Sequence, residues 1–200
     1  MKRITKTLII TSCLAFAFSG TVFANSDNKN SNYANSLNEE SVKKSFTVSG
    51  YEFTYQNAPE KFKKDYEKSC EELNIKPSPN HKIFVPEEIM SSYELEEYKE
   101  ARDLFDVQYE KGVFKVVGTG KNYSVDITNT IVGYNHTKSG NAVHLVQVLC
   151  NNLAGTGLKY DSQFGSATYN AVKKLQGKLG LPQDGIVGKQ TWEAAARRLP

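Results

Sequence analysis

The chain has 200 residues, 39% of them hydrophobic, with 25 Lys and Arg against 22 Asp and Glu. The formal excess of three positive charges lies in Lys2, Arg3 and Lys6, so the remainder is neutral and the basic isoelectric point is no signature of nucleic-acid binding. Beyond the N-terminal apolar run, no stretch approaches the ~20 apolar residues of a membrane span.

Residues 1–24 read as a signal peptide. The basic patch is followed by an apolar run from Leu8 to Phe18, and Val22-Phe23-Ala24 places small residues at the cleavage positions. The mature chain then starts at Asn25, is secreted to the cell wall or beyond, and has no membrane association after cleavage. Ile10-Thr11-Ser12-Cys13 has the outline of a lipoprotein cleavage box, but Cys13 lies inside the apolar run, where such a box would end it. Residues 25–45, rich in Asn and Ser, read as a disordered linker.

Residues 46–135 suggest an α+β domain of no recognised family. Phe46 and Val48, then Tyr51, Phe53 and Tyr55, alternate with polar residues about Ser49-Gly50 as a hairpin would. Pro59 to Leu73 predicts an amphipathic helix opened by proline. Ile83-Phe84-Val85 predicts a short strand. Pro86 to about Tyr109 predicts a longer helix, with Ile89, Tyr93, Tyr98 and Phe105 among its apolar positions. Val113 to Val117 and Tyr123 to Val132 return to strand composition, and Gly118-Thr119-Gly120-Lys121 is read as the turn between them. A polar link over about 135–140 follows.

The last sixty residues turn helical. Val143, Val146, Cys150 and Leu153 fall on one helical face. Thr168 to Leu179 gives a second helix stopped by Gly180, and Thr191 to Leu199 a third. One pattern is written twice between them. Asp161, Gly165 and Thr168 share the spacing of Asp184, Gly188 and Thr191, each with an apolar residue, Phe164 or Val187, just before the glycine. A unit that short cannot bury a core alone, so the copies must pack together. Residues 25–139 hold 15 basic and 19 acidic residues, and residues 140–200 hold 7 and 3. The basic excess at the C-terminus would suit an anionic polymer, and a mixed solvated surface accounts for it equally well.

These residues resemble a known family. Val143, Val146 and Gln147, then Asp161, Phe164, Gly165 and Thr168, then Ala171, Val172, Leu175, Gln176, Gly180, Leu181, Asp184, Gly185, Ile186, Val187, Gly188, Thr191 and Trp192 match, in order, the type 1 peptidoglycan-binding domain of bacterial cell-wall enzymes. The resemblance covers about residues 140–200 and implies a small all-α, three-helix module that holds cell-wall glycopeptide without cleaving it. Asp161, Phe164, Gly165, Thr168, Asp184, Gly185, Gly188 and Thr191 are its structural motif. The carboxylates suit Asx-type turns, and the glycines permit backbone that side chains forbid. Tyr169, Asn170, Gln176 and Trp192, with polar reach or aromatic bodies near the turns, are the candidate ligand contacts. Ser162 stands where the family usually has glycine, and Ser166 and Lys189 where it often has proline.

The implied protein is an exported peptidoglycan-binding protein whose non-catalytic module tethers the α+β domain to the wall, that domain serving a binding or regulatory task with a protein partner of its own left open. The alternative is a wall hydrolase, glycosidase or peptidase, whose catalytic domain is the α+β one, and a third reading makes the repeat a protein–protein module. The three histidines, His81, His136 and His144, are scattered, so no metal set and no cofactor is expected. Cys70 and Cys150 lie on apolar helix stripes as small buried hydrophobes, whether or not they pair. The acidic run Glu87, Glu88, Glu94, Glu96, Glu97 and Glu100 is a solvated helix face rather than a catalytic carboxylate pair.

Overall fold

In the computed structural model, residues 43–90 and 95–200 are described. The expected signal peptide, 1–24, and nearly all of the expected linker, 25–45, lie outside them. Five strands, β1 (Lys44–Thr54), β2 (Lys82–Pro86), β3 (Arg102–Glu110), β4 (Val113–Gly118) and β5 (Asn122–Asp126), form one antiparallel sheet in the order β2-β1-β3-β4-β5. Helix α1 (Glu60–Glu72) joins β1 to β2, and a single turn, α2 (Glu87–Met90), with a 3-10 segment (Leu95–Ala101) precedes β3. Three helices complete the chain: α3 (Asn141–Ala154), α4 (Ser166–Leu179) and α5 (Lys189–Arg198).

The expected hairpin about Gly50 is instead one continuous strand. Its apolar alternation changes parity because the strand is covered on different faces along its length. Phe46 and Val48 face the helical bundle, whereas Tyr51 and Phe53 point the other way and pack with Phe62, Tyr66 and Cys70 of α1. Gly50 is a point of close approach rather than a turn. It pairs with Pro86 on one side and Asp103 on the other, and a Cβ there would lie 2.4 Å from the Val85 carbonyl oxygen.

The long helix expected to reach Tyr109 is also corrected. Phe105 and Val107 are buried while Asp106 and Gln108 are not, a period of two that makes 102–110 a strand. The seven-residue spacing of Tyr98 and Phe105 imitated a helix. Of the acidic run, Glu87 is held by Ser49 Oγ at 2.6 Å. The expected helix over Pro59–Leu73 and strands at Ile83–Val85 and Val113–Val117 are present as α1, β2 and β4. β5 ends early, because Asp126 Oδ1 accepts from the Thr128 amide at 2.8 Å and its hydroxyl at 2.6 Å, closing an Asx turn. Gly118 N–H donates to the Lys121 carbonyl at 2.7 Å, so that glycine-rich segment is the β4–β5 turn.

Phe105, Val107, Phe114, Val116 and Val125 on one face of the sheet share a continuous core with Val143, Val146, Leu149, Leu175 and Trp192 of the bundle. Helix α3 is buried on more than the expected stripe, since Leu145, Val148 and Leu149 are covered as well. It packs against β5, α4 and α5, while α5 meets the sheet directly, Trp192 lying near Phe114. A second core holds α1 against β1 and β2. Cys70 belongs to that core and Cys150 to the first, and both are free thiols. Burial pushes both thiols up from their ordinary range.

Candidate functional site

Two helix-borne glutamines explain the repeat. Gln147 Nε2 on α3 donates to Asp161 Oδ1 at 2.6 Å, to Thr168 Oγ1 at 3.1 Å and to the Gln163 carbonyl at 3.2 Å. Its Oε1 accepts the Ser162 amide at 2.9 Å. Gln176 on α4 repeats each contact: Asp184 Oδ1 at 2.7 Å, Thr191 Oγ1 at 3.3 Å, the Ile186 carbonyl at 2.9 Å and the Gly185 amide at 2.9 Å. In each turn the Asp Oδ1 also accepts the amide two residues on, from Gln163 at 2.9 Å and Ile186 at 2.8 Å. The side-chain amide thus ties a turn to the preceding helix and to the helix that follows. Because the groups are mostly buried, each bond removes an otherwise costly unsatisfied polar atom.

The residue after each Asp is left-handed. Gly185 has φ +76° and Ser162 has φ +55°. Ser162 takes a backbone conformation that glycine adopts freely, at a steric cost of roughly 1–2 kcal/mol. Gly185 has a second constraint, since a Cβ there would lie 2.0 Å from the Tyr169 ring.

The two equivalent turns differ in what covers them. The first is packed beneath the N-terminal region. His81 Nε2 lies 2.6 Å from the Asp161 carbonyl, and its ring stacks on Tyr66 at 4.3 Å. Glu72 accepts from the Ser166 hydroxyl at 2.6 Å and from its amide at the start of α4, where the helix dipole favours a carboxylate. Lys159 pairs with Asp65. Burial pushes the Asp161 carboxyl up, against the bonds from Gln147, Gln163 and Ser69.

The second turn is open to solvent. Tyr134 (40% exposed) meets Tyr169 at 5.3 Å between ring centres, and Ile186 (38% exposed) borders Gly133. Lys173 Nζ lies 5.6 Å from the Tyr169 ring centre, and Asn170 is exposed on α4. These side chains form an aromatic and aliphatic patch with a cation beside it.

The structure therefore divides the four contact candidates. Tyr169 and Asn170 stand at this face. Gln176, 1% exposed, is consumed by the turn, and Trp192 is wholly buried, its Nε1 donating to the Thr130 carbonyl at 2.9 Å and its ring packed near Phe114 at 5.9 Å. Neither presents a surface to a ligand. Tyr134 is not among the candidates, because it precedes the repeat and follows the apolar Ile131-Val132, where an aromatic reads as an extension of the core. Among the described residues, no group of three or more His, Cys, Asp or Glu side chains is placed to hold a metal ion.

Sheet, bundle and doubled turn define a class: an antiparallel α+β region docked on internally repeated helix–turn units. Two family models match it, both described as "Putative peptidoglycan-binding domain", a type 5 model over residues 44–110 and a type 1 model over 139–195. The first covers the region in which the sequence revealed no family. The fold is also similar, with a TM-score of 0.66 and 34% identity, to the 2.05 Å crystal structure of a peptidoglycan-binding protein from Clostridioides difficile in complex with glutamine hydroxamate. The match covers 76% of this chain and 93% of that one. The chain belongs to this family of peptidoglycan-binding-domain proteins.

Two curated relatives match shorter stretches. An uncharacterized protein in the bpoA1 3' region of Kitasatospora aureofaciens is 49% identical over 55 residues, 27% of this chain and 47% of that protein. The zinc D-Ala-D-Ala carboxypeptidase of Streptomyces albus G is 45% identical over 56 residues, 27% of this chain and 22% of the enzyme. The chain thus spans less than half the length of either.

Proposed function

We propose that this is a secreted protein that binds peptidoglycan without cleaving it, and that the open face of its second turn makes the contact. On this reading residues 1–24 are a signal peptide, 25–45 a spacer, 46–135 the α+β domain and 140–200 the three-helix domain. The carrying observation is the asymmetry of the repeat: one turn is covered by α1, and beside its twin Tyr134 and Asn170 are exposed, with Tyr169 and Lys173 half-buried. Aromatic faces pack against the apolar faces of sugar rings, and the amide and ammonium supply polar contacts at their edge. The two matching domains and the solved relative support the wall as the partner.

The carboxypeptidase relative keeps a hydrolase reading in view. Against it, both thiols are buried in apolar surroundings that disfavour the thiolate a nucleophile needs. Incubating the protein with insoluble wall separates the readings. Co-sedimentation with unchanged wall turbidity and no released fragments supports binding. Clearing of the suspension, or release of amino acids or sugars, supports hydrolysis. Absence from the pellet would contradict both and favour a protein–protein role.

A further inference from the structure

One repeated triplet lies outside both matched stretches, 44–110 and 139–195. Ile131-Val132-Gly133 repeats Ile186-Val187-Gly188 of the second turn. The fold pairs the two: Val132 and Val187 exchange both backbone bonds, at 3.1 and 2.9 Å, in an antiparallel bridge. That register sets Ile131 opposite Gly188 and Gly133 opposite Ile186. Because side chains alternate along each segment, both valines face inward and are buried. Both isoleucines face out, Ile131 42% and Ile186 38% exposed.

The glycines give this apolar platform its shape. A Cβ on Gly133 would lie 3.5 Å from Ile186 Cγ1, so that position is already covered. A Cβ on Gly188 would meet nothing within 4 Å, which leaves a notch beside Ile131. At the first turn the equivalent glycine, Gly165, is covered by Glu72 and Ser69 of α1. The platform continues into the aromatic pair, since Ile186 reaches Gly133, the residue before Tyr134, and Gly185 underlies the Tyr169 ring. The charge around it is positive. Residues 140–200 hold seven basic and three acidic residues. Of those acids, Asp161 is buried, Asp184 is engaged by Gln176 and the Ile186 amide, and Glu193 faces Lys189 at 3.9 Å. Lys173 stands at the Tyr169 ring.

A ligand complementary to this surface carries methyl-sized apolar groups and net negative charge. In peptidoglycan those belong to the peptide, with its alanyl methyls and free carboxylates, whereas the N-acetylated sugars are uncharged. We infer, on the wall reading above, that the Ile131–Ile186 platform receives the stem peptide of peptidoglycan while the Tyr134–Tyr169 pair takes the adjoining sugar. Ile131 and Ile186 flank an alanyl methyl at the Gly188 notch, and the surrounding lysines draw in the carboxylates.

Soluble probes separate the two ends of the face. The 15N-labelled mature chain is titrated with N-acetylated L-alanyl-D-glutamyl-diaminopimelyl-D-alanine, with the same peptide amidated at its carboxyls, and with an N-acetylglucosamine oligomer. The anionic peptide should give saturable shifts at the amides of Ile131, Gly133, Ile186 and Gly188, and its affinity should fall as salt is added. The amidated peptide should bind at least tenfold more weakly. The oligomer should shift Tyr134 and Tyr169 with no salt dependence. Ile131→Ser with Ile186→Ser should weaken the peptide at least tenfold and leave the oligomer unaffected. Gly188→Ala, at a backbone angle any residue adopts (φ −97°), fills the notch and should also weaken the peptide alone. No saturable shift with the anionic peptide, equal binding of its amidated form, or unchanged peptide affinity in either folded variant overturns the assignment. Peptide binding without wall co-sedimentation would sink the wall reading and leave this site standing; co-sedimentation without peptide binding would sink the site alone.

Discussion

Gln176 reaches from α4 across the second turn to Asp184 at 2.7 Å, as Gln147 reaches from α3 to Asp161 at 2.6 Å. One carboxamide thereby satisfies a carboxylate, a carbonyl, a hydroxyl and an amide, and sets the angle at which successive helices leave the turn.

Replacing either glutamine with leucine strands those groups. Each buried orphan costs about 1–3 kcal/mol, so Gln176→Leu should lower stability by about 3 kcal/mol and Gln147→Leu, whose turn is more deeply covered, by at least as much. Urea unfolding measures both. A loss below about 0.5 kcal/mol in either variant would show that the turns are held by something else.

The left-handed positions predict opposite signs. Ser162→Gly relieves the positive φ and should stabilise the protein by roughly 0.5–1 kcal/mol. Gly185→Ala places a Cβ against the Tyr169 ring as well as straining the backbone, and should destabilise it by about 2 kcal/mol or more. Thermal melts of the pair decide; equal shifts would contradict the steric account.

Much of this bundle was readable before the fold was seen. Asp161, Thr168, Asp184 and Thr191 are spaced by turn geometry, which is local and leaves its mark in the chain. The glutamines' role was less plain, because Gln147 precedes its turn by fourteen residues and Gln176 by eight, and only the packed helices equalise the two. In the α+β region the local signal misled. Tyr51 and Phe53 answer to α1, and Phe46 and Val48 to the bundle, so β1 carries two half-patterns in opposite phase. Phe105 is likewise placed by sheet neighbours distant in sequence. The proposed contact face was half visible: Tyr169 and Asn170 lie within the motif, but Tyr134 reaches Tyr169 from outside it, and the burial of Trp192 depends on the sheet.

The buried imidazole makes stability pH-dependent. His144 is lowered from 6.5 to about 3 by burial, with Lys121 nearby. The unfolded chain takes up this proton while the native state resists it. Its contribution is therefore full above about pH 6.5 and is lost as the pH falls toward 3, at up to ~1.4 kcal/mol per pH unit. Comparing wild type with His144→Phe cancels the other two histidines. Their difference in urea stability should move by ~2 kcal/mol between pH 7 and pH 5, against wild type at the lower pH. Parallel curves would contradict a buried neutral ring.

The thiols should be silent. Cys70 and Cys150 sit in separate cores, so the native protein should not react with Ellman's reagent over an hour, whereas the unfolded chain should react at both positions. A melting temperature lowered by reductant would instead reveal a disulfide.

Of the two turns, only the second leaves an aromatic face open beside it. Tyr134→Ala with Tyr169→Ala removes the aromatic face, and binding isotherms on insoluble peptidoglycan compare this double variant with wild type at matched folding. The account predicts at least tenfold weaker binding, a loss of ~1.4 kcal/mol or more. Unchanged affinity in a folded double variant would place the contact elsewhere and contradict it.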